Sequence, residues 1–462
     1  MKPFAIICTA PEVPTVHRAC EEISRLFYTL TEEYPVFFFS EEECDKTAYT
    51  PIRLAVGEDD KLTREEEYSI TVKDGEAAIV GFDGAGLLYG VLDFYHKYIL
   101  NILHPTHDPG FVYLSFDRFE ALPDFSLTSA PAIRERGIWT WGHVIYDYRA
   151  YLDNMMRLKL NRIIIWNDYP PVNARDIVAY AHERNIKVIW GYSWMWDTNC
   201  ALADLSALEK APAELFAAYE RDYAGIGGDG IYFQTFTELQ TEYIGDRLIA
   251  DAAVDLVNRT VALFYEKYPT LEIQFGLHTN SVRNRLDFIK KTDPRVRIVW
   301  ENCGSFPLAG TPSPIPTEEI EKTVAYLQKI ASLRGENDRF GVVTKGIIGL
   351  DWTTFKHLTG PQLIGVSDRA AREKRAALRR PHLRAIVAGW LAHADDVLAV
   401  IRALAEIKQG DAIVAPLVED GMFEENILYP VALEAEMLWS PETDLKTLMR
   451  EVALREYVTF AE

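Results

Sequence analysis

Cysteine, histidine and basic residues are all in short supply in this sequence. Its five cysteines are Cys8, Cys20, Cys44, Cys200 and Cys303, with no CxxC among them. An odd, scattered set argues against a disulfide framework or a thiolate zinc site, and leads to the expectation of reduced thiols in a cytoplasmic protein. His104 and His107 flank a proline with no third ligand in view, so no metal site is expected there. No window reaches the roughly 18 apolar residues that span a bilayer. The start, MKPFAIICTAPEVP, is too short in its apolar run for a secretory leader, so neither a membrane nor export is expected. Against 69 acidic residues stand 48 Lys and Arg, a net charge of -21, which is the wrong electrostatics for a nucleic-acid binder. The one basic run, Arg369 to Arg384, reads as the solvated start of a helix.

Phosphate-binding fingerprints are missing too. In GIGGDGIYFQTFTEL the glycines precede a β-forming run, whereas a phosphate loop follows a strand and opens a helix. These glycines turn the chain from a helix into a strand, and no nucleotide or other cofactor is expected.

What is present is a long chain with a change of pattern. At 462 residues, 48% of them hydrophobic, the chain can bury a substantial core and exceeds one average domain. Residues 1–125 mix short β-rich pieces (VFFFS, IRLAV, YSITV, AAIVGF) with two helical segments, an α+β unit. From Arg134 strands and helices alternate strictly through seven repeats, which implies a parallel sheet. Seven or eight units of this size match a closed (β/α)8 barrel, here assigned to residues 126–380. The eighth strand is either DAIVAPLV near residue 411 or PQLIGVS near residue 361, and residues 381–462 form a helical segment that can complete the barrel.

Active sites of such barrels lie at the C-terminal ends of the strands. The residues there include Trp139, Trp141, Asp168, Trp194, Glu238, His278, Asn280, Trp300, Glu301, Asp351 and Trp352. Indoles offer flat apolar faces with an N–H handle, which suits the C–H faces of sugar rings, while Asp, Asn and His bond hydroxyls. Glycosidic cleavage needs one carboxylic acid and a second carboxylate, and Glu238, Glu301, Asp351 and Asp168 arrive at the same mouth. The reading is a glycoside hydrolase acting on a carbohydrate. Glu238 is the general acid, Glu301 its first-choice partner and Asp351 the second. Trp141, Trp194, Trp300 and Trp352 are subsite walls, and Asp168, His278 and Asn280 are hydroxyl ligands. A catalytically silent sugar-binding barrel is the alternative from another class.

Three stretches add a resemblance. AAIVGFDGAGLLYGVLDF resembles the accessory domain that precedes the barrel in β-N-acetylhexosaminidases and α-glucuronidases. RERGIWTWG with YRAYLDNMMRLKLNRIIIWND is similar to their first barrel repeat, including the approach to strand two at Lys159, Leu160 and Asn161. LEAEMLWSPETDLKTLMREVALREY looks like the C-terminal segment of α-glucuronidase-like enzymes. Hexosaminidases carry an Asp just before the acid Glu, to orient a substrate N-acetyl group that acts as nucleophile; Thr237 stands in that place. The α-glucuronidase pattern, an acid Glu without that Asp, implies Glu238 as acid with Glu301 or Asp351 as base. A hexosaminidase-like enzyme is kept as an alternative.

Overall fold

The computed structural model describes residues 2–103, 122–167, 169–195, 205–238, 242–278, 284–303, 317–335, 338–345, 347, 360–418, 423–424 and 428–456. The first unit is a six-stranded sheet of β1 (Phe4–Cys8), β2 (Val36–Phe38), β3 (Thr50–Val56), β4 (Tyr68–Lys73), β5 (Glu76–Gly81) and β6 (Phe125–Ser129). Their order is β2-β1-β3-β5-β4-β6, with β4 antiparallel to both neighbours. The helix Pro14–Thr31 buries Val16, Ala19, Ile23, Phe27 and Leu30, a stripe at helical spacing that covers the sheet. The β4–β5 hairpin turns through Asp74 and Gly75, both at positive φ, as a two-residue type I′ turn demands.

The second unit is a closed barrel. Its strands are β7 (Glu135–Trp141), β8 (Arg162–Trp166), β9 (Lys187–Gly191), β10 (Gly230–Phe233), β13 (Glu272–Leu277), β14 (Arg297–Cys303), β15 (Phe340–Thr344) and β16 (Ala412–Val414). A small hairpin, β11 (Tyr243–Ile244) with β12 (Arg247–Leu248), interrupts the series after β10. All eight barrel strands pair in parallel. Side chains alternate along them. Trp139, Trp141, Ile164, Trp166, Ile189, Tyr232, Val299, Val343 and Ile413 fill the interior. Their neighbours Ile138, Ile163, Ile165, Trp190, Phe233, Ile298, Trp300 and Val342 pack outward against the helices.

The barrel closes at Ala412–Val414, between β15 and β7. The other candidate, near residue 361, runs beside the loop after β7 instead: the Gly365 amide donates to Ile145, and Val366 bridges Asp147. Two helices, Arg369–Leu391 and Ala394–Lys408, lie between β15 and β16 among the described residues. Among the described residues no helix is long and apolar enough to cross a membrane.

The two units are joined by buried charge. Lys159 Nζ lies 2.8 Å from Asp93 and 3.7 Å from Glu436, and 4.2 Å from the centre of the Trp439 ring. Lys97 and Arg455 complete the cluster on Glu436 at 2.9 and 3.2 Å. Burial alone would push the Asp93 and Glu436 carboxyls up, but Lys159 and Lys97 overcome it and hold both below the usual range. Beside this cluster Glu66 accepts from Arg136, Asn161 and Asn185. The helix Tyr148–Arg157 ends in a Schellman motif, with Leu160 N–H bonded to Met155 and Lys159 N–H to Met156. Lys159 takes its left-handed position at φ 58, where glycine is usual, because its side chain is needed in the cluster. The Arg136 and Lys159–Asn161 stretches therefore hold the accessory unit to the barrel, at the face opposite an active site.

Lys159→Met should cost about 3–5 kcal/mol in chemical denaturation, because buried Asp93 loses its closest counter-charge and buried Glu436 loses one of three. Arg134→Met breaks an exposed pair with Glu65 and should cost under about 1 kcal/mol. Equal stability of the two variants would mean that the buried cluster does not hold the two units together.

Candidate active site

The inner face of the barrel divides into two halves. One half is aromatic and comes from β7, β8 and β10. Trp139 and Trp141 meet edge-to-face at 5.2 Å, Trp139 stacks with Trp166 at 6.1 Å, and Tyr232 stands edge-on to Trp139 at 5.9 Å. Packing of this kind holds the rings rigidly in place.

The other half centres on Glu301, which β14 points into the barrel and leaves 5% exposed. Its Oε1 accepts from the Tyr232 hydroxyl and from Gln234 Nε2, and Lys345 Nζ lies 3.4 Å from Oε2. Tyr232 and Gln234 reach it together because they are two apart on the chain and so share a face. Gly276 makes room for this: a Cβ there would lie 2.1 Å from the Tyr232 oxygen. Burial pushes the Glu301 carboxyl up, but Lys345, then His278, then the two hydrogen bonds outweigh it. The net effect is downward, so Glu301 is a buried carboxylate held ionised.

At the end of β15 the alternation separates two glutamates. Lys345 faces inward to Glu301, whereas Thr344 faces outward and donates its hydroxyl to Glu434 on the helix Tyr429–Trp439. Glu434 is fully buried with no counter-charge among the described residues, and burial raises it to about 7 despite the Thr344 bond. A folded value above the ordinary 4.5 means that stability is fully present below pH 4.5 and lost as pH rises through about 7. The whole effect is at most about 3 kcal/mol. Glu434→Gln should flatten the fall in Tm between pH 5 and 8 and be most stabilising at the alkaline end. Parallel curves for the two proteins would contradict it.

The rim is held by loop-to-loop bonds. Glu424, after β16, accepts from the backbone amides of Tyr146 and Asp147 after β7, and Asn154 Nδ2 donates to the Phe423 carbonyl at 2.8 Å. Beyond β10 the chain makes a 3-10 turn over Phe236–Glu238, and the Trp194 amide donates to the Gln234 carbonyl at 3.0 Å. Met195, just after this contact, is a non-glycine residue at φ 69, and it packs against the cluster that includes Phe236 and Ile249. Strained backbone of this sort concentrates at functional rims.

The expected site residues fall into three groups. Glu301, Trp141 and His278 are brought to one end of the barrel: Trp141 in the aromatic half, His278 directly after β13 and close enough to stabilise the Glu301 charge. Trp194 and Trp300 require correction. Trp194 is fully buried and stacked on Phe233 at 3.8 Å and Phe264 at 5.6 Å, and Trp300 is 2% exposed with Tyr326 at 5.2 Å. Both pack in the shell between strands and helices and wall no subsite. On β14 the reason is plain: Glu301 faces in, so its neighbour Trp300 faces out. Asp168, Asn280, Asp351 and Trp352 lie outside the described residues, and of Glu238 the turn that carries its backbone is described. Tyr232, Gln234 and Lys345 were not anticipated from sequence, although the two-residue spacing of Tyr232 and Gln234 was a usable signal.

Neither the sequence families nor the curated proteins compared with the chain include a match. Solved structures do match in fold. A mutant β-hexosaminidase of Streptomyces plicatus, bound to its product GlcNAc, superposes with TM-score 0.54 at 11% identity, over 98% of this chain and 90% of its own. A GH115 4-O-methyl-α-glucuronidase with specificity for decorated arabinogalactans gives 0.51 at 13% identity, over 97% and 59%. A GH138 enzyme targeting pectin rhamnogalacturonan II gives 0.53 at 11% identity; the chain spans 52% of that enzyme's length. The chain thus has the hexosaminidase- and glucuronidase-like fold, an accessory sheet followed by a (β/α)8 barrel, shared by several classes of glycoside hydrolase.

Proposed function

We propose that this protein is a glycoside hydrolase that uses two of its own carboxyl groups. The observation that carries the reading is Glu301, a carboxylate kept ionised inside the barrel and bonded to Tyr232, which packs edge-on against Trp139 and Trp166. An ionised group cannot be the proton donor, so Glu301 takes the second role, attacking the anomeric carbon or activating water. Glu238, at the turn after β10, is the general acid. Asp351 remains the alternative to Glu301. Trp141 and Trp352 stack on the sugar, and Asp168, His278 and Asn280 bond its hydroxyls.

Thr237, directly before the proposed acid, lacks the carboxylate that would orient an N-acetyl nucleophile. This favours protein carboxylates over substrate assistance. The enzyme is taken to act in the cytoplasm on a small oligosaccharide or glycoside. A panel of aryl glycosides that includes uronides and N-acetylhexosaminides tests the reading. Turnover of at least one, lost in Glu238→Gln, is the expected result; binding of sugars with turnover of none would favour the silent barrel.

A further inference from the structure

The accessory unit carries a feature that this functional reading does not use. Cys8 closes β1, and Cys20 lies in the helix Pro14–Thr31 that packs on the sheet. Their sulfurs are 3.7 Å apart, with the Cys20 S–H donating to Cys8. Both thiols are free. Cys8 is 8% exposed and is followed at once by a chain segment, residues 9–13, that is largely open to solvent; Cys20 is partly exposed itself. A disulfide needs the sulfurs at about 2.0 Å, so the pair must close by about 1.7 Å.

The two thiols are not equivalent. The Cys20 S–H bond outweighs burial, which pushes Cys8 up, and with the Ala10 amide it lowers the Cys8 thiol to about 6. The same bond, together with burial, pushes Cys20 up, which keeps it protonated. A thiolate is the attacking species in disulfide exchange, which gives the pair a direction. Cys44, the third described thiol, sits in a separate cluster with Ala5 and Ile7 and has no such neighbour among the described residues.

We propose that Cys8 and Cys20 form a dithiol modification site that exchanges with low-molecular-weight disulfides of the glutathione type. The Cys8 sulfur attacks the disulfide RSSR, forming a mixed disulfide and releasing RS⁻. Cys20 then attacks the Cys8 sulfur, expelling the second RS⁻, and its proton passes to solvent or to the leaving thiolate. Two protein thiols and RSSR become one protein disulfide and two RSH. The new bond ties β1 to the helix that covers it, and reduction by excess thiol reverses it.

The test uses the full chain with oxidised glutathione as the probe, followed by alkylation, digestion without reduction, and mass spectrometry. A Cys8–Cys20 linked peptide is expected in the native protein. In Cys20→Ser a glutathione adduct should remain on Cys8, and in Cys8→Ser the Cys20 thiol should stay open to alkylation. Full alkylation of both thiols after treatment would overturn the proposal, as would adducts formed equally on the two single variants. Neither outcome depends on glycoside hydrolysis, so this inference and the proposed function stand or fall separately.

Discussion

Glu238→Gln is expected to lower kcat by about 1,000-fold or more on glycosides with poor leaving groups, while sugar binding changes little. The substitution keeps the size of the side chain and replaces its acidic O–H with a non-acidic amide. What is lost is protonation of the leaving oxygen, which a sugar alcohol needs and an activated nitrophenolate hardly does. The loss should therefore shrink on nitrophenyl substrates and be largest on natural disaccharides. A uniform loss across leaving groups would assign Glu238 a different role, and unchanged turnover would remove it from the mechanism.

Glu301→Gln should be as severe, with a different signature. The amide can still accept from Tyr232 and Gln234, but it cannot attack carbon or take a proton, and it leaves Lys345 without its counter-charge. A fall of about 1,000-fold or more is expected on every substrate, activated or not. The pH profile supplies a second check. Because Glu301 is held below the ordinary 4.5 of a glutamate, the wild-type enzyme should keep its active carboxylate well into acid, and its acidic limb should fall below pH 4.5. Lys345→Met removes the largest lowering influence and should move that limb upward. A limb that stays in place would mean that another carboxylate, with Asp351 first in line, sets it.

The architecture was largely legible in the sequence because it is a periodic signal. Strand–helix alternation from Arg134 onward announces a barrel, and the strand ends name the mouth. The eighth strand was ambiguous because only three residues, Ala412–Val414, form it, far along the chain from β15. Glu301 was visible as a carboxylate at a strand end. Its partners were not, because Lys345 lies 44 positions further along the chain and meets it only through the pairing of β14 with β15. Trp194 and Trp300 were misplaced by counting strand-end tryptophans without regard to face. A period of two puts adjacent residues on opposite sides, so Trp300 and Glu301 could not both line the interior. Lys159 and Asn161, noticed as part of a resemblance, turned out to fix the junction between the units.

A crystal structure of Glu238→Gln with an uncleaved glycoside would show which carboxyl groups flank the scissile bond. The glycosidic oxygen is expected within hydrogen-bond reach of residue 238, with Glu301 across the sugar ring. The two carboxyl positions should be about 5–5.5 Å apart for a retaining enzyme or about 6.5–9.5 Å for an inverting one. A separation beyond about 10 Å, or a sugar seated away from Glu301, would contradict this arrangement.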